Sequence, residues 1–193
     1  MKKMLLICLT AVTILTGCRP KTTADDANLD AYRTYFDSIV YNSQFTSSSE
    51  YYSISTEMVK IREGSFRYYV FFDEPQVSMY DVIILAIEND MAYNEEKMMP
   101  SIGIFDSRYS MIPYQVNLDE GYVKGIVISG ECSEPQLQLK IMVEWKDHNR
   151  ANTYREFHQL NLSVEAAIEP SMQYEEFDIE ENSQTETPED GNE

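Results

Sequence analysis

The sequence predicts a mainly β domain, an antiparallel β-sandwich with one N-terminal helix. Three observations carry that expectation: apolar residues alternate with period two in several segments, turn signals separate those segments at short intervals, and one early stretch has helical spacing. The clearest alternation is Leu137, Leu139, Ile141, Val143 and Trp145. A chain that is 43% hydrophobic and 12% aromatic has the material for one core of ordinary size.

Taken in order, Leu29, Tyr32, Phe36, Ile39 and Val40 return to one face of a helix, with Asp26 as its expected N-cap. Polar residues from Thr46 to Glu50 separate it from a first strand over Tyr51 to Arg62. Glu63-Gly64 marks a hairpin turn, after which Phe66, Tyr68, Val70 and Phe72 share one face of a second strand and Tyr69 and Phe71 share the other. Val82 to Ile87 is an unbroken apolar run of strand length, which suits a strand buried on both faces. A long acidic loop over residues 88–100 precedes a short strand from Ile102 to Phe105. Further strands are expected over Tyr122 to Ser129, Leu137 to Trp145 and Thr153 to Leu162, joined by turns at Gly130 to Pro135 and Asp147 to Asn152. About seven such strands correspond to an immunoglobulin-like sandwich, although the Cys, Trp, Cys spacing of true immunoglobulin domains is missing.

The first 18 residues are organised differently. Lys2 and Lys3 form a positive start, Met4 to Leu15 an apolar stretch, and small Gly17 precedes Cys18, the layout of a cleaved export signal. The apolar run ending at Gly17 is short of the roughly 20 residues needed to cross a bilayer core, and Thr10, Thr13 and Thr16 weaken it further. Leu15-Thr16-Gly17-Cys18 resembles the lipobox of bacterial lipoproteins. That resemblance implies cleavage that leaves Cys18 as a lipidated N-terminus, and a lipid bilayer as partner, with the domain on the extracytoplasmic side of a bacterial membrane. The expected organisation is a signal over 1–17, a lipidated tether over 18–27, the domain over 28–165 and a disordered acidic tail over 166–193. Nine extended residues after Cys18 reach about 30 Å at most, so the domain is expected close to the membrane.

A second resemblance, across Phe105 to Trp145, is to the immunoglobulin-like domains of small Gram-positive lipoproteins. Phe105-Asp106, the Leu118 to Gly121 turn, the Gly125-Ile126-Val127-Ile128 strand and the Leu137 to Trp145 strand carry it. It implies a sandwich and transfers no catalytic residue.

The formal charge is −18, and loss of residues 1–17 removes two of 15 basic side chains and none of 33 acidic ones, moving the balance to −20. Phosphate backbones repel such a surface, so no nucleic-acid partner is expected. After Arg155 there is no Lys or Arg, and 11 acidic side chains fall between Glu165 and Glu193. Such a tail cannot bury enough apolar surface to order itself. Tyr174 and Phe177, interleaved with those acids, are candidate contacts for a partner.

No catalytic constellation emerges. With Cys8 in the signal and Cys18 lipidated, Cys132 has no disulfide partner, and Glu131 and Glu134 beside it disfavour a thiolate. Gly-x-Ser-x-Gly and the phosphate-binding Gly-rich pattern are absent. His148 and His158 are ten apart without a zinc-ligand spacing, so neither metal nor cofactor is expected there. Glu88, Asp90, Glu95 and Glu96 offer hard oxygen ligands, leaving a calcium site and a solvated acidic loop as alternatives. Paired carboxylates carry no weight in so acidic a chain.

The expected function is a membrane-anchored, non-catalytic protein-binding or assembly module of the cell envelope, with a protein partner in that envelope. The alternatives are an accessory lipoprotein of a conjugation or secretion apparatus and a ligand-binding lipoprotein. Tyr51 and Tyr69 are the candidate binding residues of the domain, because Tyr51-Tyr52 and Tyr68-Tyr69 in strands must point to opposite faces.

Overall fold

A computed structural model of the chain describes residues 24–94 and 97–164. The signal, Cys18 and the acidic tail with Tyr174 and Phe177 lie outside those residues. A helix, α1 (Ala24–Val40), is followed by β1 (Ser53–Arg62), β2 (Ser65–Asp73), β3 (Met79–Glu88), β4 (Ser101–Ile102), β5 (Tyr109–Met111), β6 (Ile126–Cys132), β7 (Gln136–Lys146) and β8 (Thr153–Ser163). One sheet has the order β1-β2-β6; the other has the order β4-β3-β7-β8, with β5 also paired to β3. Every ladder between these strands is antiparallel. The two sheets pack face to face as a β-sandwich.

Alternation decides which side chains meet between the sheets. Phe66, Tyr68, Val70 and Phe72 of β2 join Ile126 and Ile128 of β6 against Leu137, Leu139, Ile141, Val143 and Trp145 of β7. From β3, Val82, Ile84 and Ala86 enter the same core, while Ile83, Leu85 and Ile87 point the other way. There they meet Tyr32, Phe36 and Ile39 of α1 and Met142 of β7. The fold therefore has three layers: helix, larger sheet and smaller sheet. The unbroken apolar run of β3 is a strand covered on both faces.

Several local expectations change. The helix begins at Ala24 and takes in the last four residues of the predicted tether, so Asp26 lies in its first turn with Asp25 instead of capping it. Both carboxylates suit the positive end of the helix dipole there. Val40 is exposed because the helix ends on it, and Ile39 takes the buried position. The predicted Ile102 to Phe105 strand stops at Ile102, since Gly103 turns the chain at φ +78 and donates to Asp106 Oδ1 at 2.6 Å. Residues 122–125 are loop, and β5 is a strand without a sequence expectation.

Gly130 is the most instructive change. The glycine was expected in a turn, but β6 continues through it to Cys132 and pairs it with Tyr68. A Cβ at Gly130 would fall inside the Tyr68 phenol. Glycine in a strand here marks a close approach, not a bend. The phenol uses that space to donate to Glu88 Oε1 at 2.8 Å, and Lys97 Nζ lies 3.6 Å from the second Glu88 oxygen. Burial pushes the Tyr68 hydroxyl far up, with the Glu88 charge adding to it, so the phenol stays a donor. Gly130→Ala is expected to force the ring out of register and destabilise the domain by about 1–3 kcal/mol; a denaturant midpoint equal to that of the parent would contradict this packing.

The β1 and β8 edges are closed by a second polar cluster. His158 is fully buried, with Nε2 2.7 Å from Tyr52 Oη and Nδ1 3.1 Å from Thr46 Oγ1. Thr46 Oγ1 already donates to Ser48 O, so it accepts from Nδ1–H. Glu156 Oε2 sits 3.6 Å from Nε2, an electrostatic contact without a hydrogen bond. Burial pushes the Glu156 carboxyl up, but His158, Ser49 and Tyr52 outweigh it and hold it below its ordinary value. A carboxyl depressed in the folded state stabilises fully above its unfolded pKa of about 4.3 and loses that contribution as pH falls through the folded value. Chemical denaturation between about pH 3 and 6 is therefore expected to show a shallower acid loss in Glu156→Gln than in the parent.

Candidate functional site

One pole of the sandwich gathers the starts of β1, β3, β6 and β8 and the ends of β2, β5 and β7. Three connections cover it, at residues 74–78, 112–125 and 147–152. The first is tied down by Gln76 N–H donating to Tyr51 O at 2.7 Å. The last is the β7–β8 hairpin turn, in which Asp147 accepts from Ala151 N at 2.9 Å and from Asn152 Nδ2 at 2.7 Å. Slight desolvation pushes the Asp147 carboxyl up, but those donors and neighbouring His148 hold it below its ordinary range.

Residues 112–125 form a braced loop. Gln115 N–H donates to Ile112 O at 3.1 Å, Asn117 and Tyr122 exchange backbone bonds at 2.9 and 2.8 Å, and Leu118–Glu120 is a single 3-10 turn closed by Gly121. Val123 N–H and Ser110 O, 2.9 Å apart, fasten the returning arm to β5. Local backbone bonds thus brace the loop, while Tyr114, Val116 and Leu118 are 107%, 62% and 73% exposed. Single exposed apolar residues are ordinary, but three in a braced loop form an apolar crest. Tyr114 also holds φ +61, a left-handed conformation that costs a bulky residue about 1–3 kcal/mol.

A groove of about 480 Å³ runs beneath the crest, lined by Glu74, Pro75, Gln76, Ile112 to Val116 and Lys124. The next residue of the same connection, Val77, lines a second cavity of about 470 Å³ with Tyr51, Ser78, Trp145, Asp147, His148 and Tyr154. Trp145 is its floor: the indole is 2% exposed, Tyr154 stacks on it at 5.7 Å and 15°, and Tyr51 tilts against it at 5.4 Å. Tyr52 backs the indole from the core side, edge-on at 5.9 Å.

Lys146 and Arg150, which flank Asp147 and His148 in the chain, are engaged away from this cavity. A bulge in β3 puts Asp81 at φ +52, where its carboxylate lies 3.0 Å from Lys146 Nζ and 4.0 Å from Arg150. The Arg150 guanidinium lies over the Tyr80 ring at 5.0 Å, and that ring meets Tyr122 edge-on at 6.3 Å.

Of the candidate binding residues, Tyr51 is a wall of the aromatic cavity. Tyr69 is on a different surface, the outer face of the smaller sheet, half-buried and stacked on Phe71 at 6.2 Å with Arg67 and Glu131 paired nearby. The structure does not bring the two together, and Cys18, Tyr174 and Phe177 lie outside the described residues. Tyr114, Val116, Leu118 and Tyr154 were not expected. Their alternating apolar pattern reads equally well as a strand, and only the folded loop shows that these side chains face outward.

Cys132 is half-buried near the opposite pole, donating to Glu134 O at 3.4 Å. Burial pushes its thiol up, with Glu88 and Glu134 adding to the rise; His148 belongs to the far turn and His158 to the Tyr52 and Thr46 cluster. In the acidic loop Glu88 is taken by Tyr68 and Lys97, and Asp90 by Lys140. Glu95 and Glu96 lie outside the described residues. Among the described residues no group of three or more His, Cys, Asp or Glu side chains is placed to hold a metal ion.

Comparison with family models, with curated proteins and with solved structures finds no match to this chain.

Tyr114→Gly tests whether the crest is strained in place. The substitution is expected to remove the ring while raising stability by up to about 1 kcal/mol, because glycine adopts φ +61 without cost. A fall in the denaturant midpoint would mean that the exposed ring stabilises the loop.

Proposed function

We propose that this chain is a membrane-anchored lipoprotein of the bacterial surface whose sandwich serves as a non-catalytic protein-binding or assembly module, held by acylated Cys18. The observation that carries the binding role is the crest of Tyr114, Val116 and Leu118, apolar side chains kept in water by a loop braced by its own backbone hydrogen bonds. A loop so braced loses little further conformational freedom when a partner covers it, which favours association. The groove beside it and the aromatic cavity beyond extend the surface across the same pole.

The anchor supports the same reading. Two or more acyl chains give stable attachment where one does not, and the five residues between Cys18 and Ala24 let those two positions separate by about 20 Å at most. A partner would therefore be met close to the membrane, consistent with an envelope assembly part. The thiol of Cys132, raised and remote from both histidines, supports a non-catalytic role.

Two measurements on the intact lipidated protein test this function. Cys18→Ser is expected to move the protein from the membrane to the soluble fraction; retention in the membrane would overturn the anchor. A photocrosslinker at Gln115 is expected to capture a defined envelope protein, with yield falling at least about tenfold when Val116 and Leu118 are both changed to Asp. That loss corresponds to about 1.4 kcal/mol, within the cost of removing a central apolar contact. Undiminished capture by the double variant would remove the crest from the binding role.

A further inference from the structure

We propose that the cavity walled by Tyr51 and Tyr154 over Trp145 receives a cationic side chain, lysine or arginine, from a basic segment of the protein partner. This rests on the protein-binding reading and names the chemistry of what is bound. Three features of the cavity select a cation. Its walls are aromatic: Tyr154 is 43% exposed, Tyr51 is partly exposed, and both rings contact the indole, so π-faces line a space of about 470 Å³. Cations are attracted to such faces, more strongly as water is excluded.

The second feature is fixed negative charge. Asp147 lines the cavity, and the backbone and side-chain donors of its turn keep its carboxyl ionised and oriented. The third is that, among the described residues, no lysine or arginine lines the cavity. Lys146 and Arg150, which flank Asp147 and His148 in the chain, are held by Asp81, and Arg150 covers a different ring, Tyr80. The surrounding field has the matching sign, since the chain carries a net charge of −18 and would steer a basic partner toward it and an anionic one away. An aliphatic side chain would fit the volume but would leave both the carboxylate and the field unused.

Trp145 is the only tryptophan of the sequence and lies in the cavity floor, so its fluorescence reports occupancy directly. The full chain is titrated with the capped pentapeptide Gly-Gly-Arg-Gly-Gly, its lysine and norleucine counterparts, and methyl glucoside. Saturable quenching by the arginine and lysine peptides, weakened by added salt, is expected, with none from norleucine or the sugar. Tyr154→Leu, which keeps apolar bulk but removes the π-face, is expected to weaken the arginine peptide at least about threefold, and Tyr154→Phe to stay within about twofold of the parent. Asp147→Asn, which retains an acceptor for the turn, is expected to weaken it while far-UV circular dichroism stays unchanged.

Equal quenching by norleucine would make the cavity an apolar socket, and quenching by methyl glucoside alone a sugar platform; either result overturns the proposal. Absence of quenching by every probe overturns it as well. If the peptides fail while the Val116 and Leu118 double variant still abolishes capture, the protein-binding role stands and only the cationic chemistry falls. If capture survives that variant while Tyr154→Leu weakens peptide binding, the cation site stands and the crest does not.

Discussion

β3 is the strand on which the other layers depend. Its six residues Val82 to Ile87 alternate between two cores, one shared with the smaller sheet and one shared with α1. Each side chain fully removed from water contributes about 1.5–3 kcal/mol before the cost of ordering it, and no other described strand serves both cores so evenly. β7 comes nearest, through Met142 on the helix side. A strand with two apolar faces must be central, and centrality requires a partner at each edge. β7 supplies one along its length, while β4 and β5 share the other in two short pieces.

Where apolar packing ends, buried polar clusters take over. Tyr68 and Glu88 meet near one pole, in space that Gly130 leaves open, and Tyr52, His158 and Thr46 close the seam between the β1 and β8 edges. Each phenol, pushed far up by burial, keeps its proton and a specific hydrogen-bond partner. A buried polar group left without a partner costs about 1–3 kcal/mol, so these pairs discriminate against slipped registers that would separate them. They give the smaller sheet a unique seat on the larger one, which apolar contacts alone specify less sharply.

With the core closed in this way, the two poles differ in what they expose. One carries the Glu63-Gly64 hairpin, the Cys132 turn and the end of β8; the other carries the long connections with the apolar crest and the aromatic cavity. Rigid strands position those connections, and local hydrogen bonds fix them, which is how loops on a sandwich become recognition surfaces. The bulge at Asp81 contributes nearby: it gathers Lys146 and Arg150, while Asp147 and His148 between them line the cavity.

Periodicity by itself determined the class of the fold, the helix face of Tyr32, Phe36 and Ile39, the β1–β2 and β7–β8 hairpins and the two-sided burial of β3, because each follows from interactions within a few residues. Only the tertiary structure decided that Gly130 continues a strand, since the reason is a ring on β2, 62 residues earlier in the chain. The same holds for His158, whose partners Tyr52 and Thr46 are separated from it by 106 and 112 residues. The candidate site was the least legible part: Tyr51, Val77, Trp145 and Tyr154 come from four separated segments, and nothing local distinguishes an aromatic that fills a core from one that walls a cavity. Sequence spacing sets which face a side chain takes, but what covers that face is set by how distant strands pair.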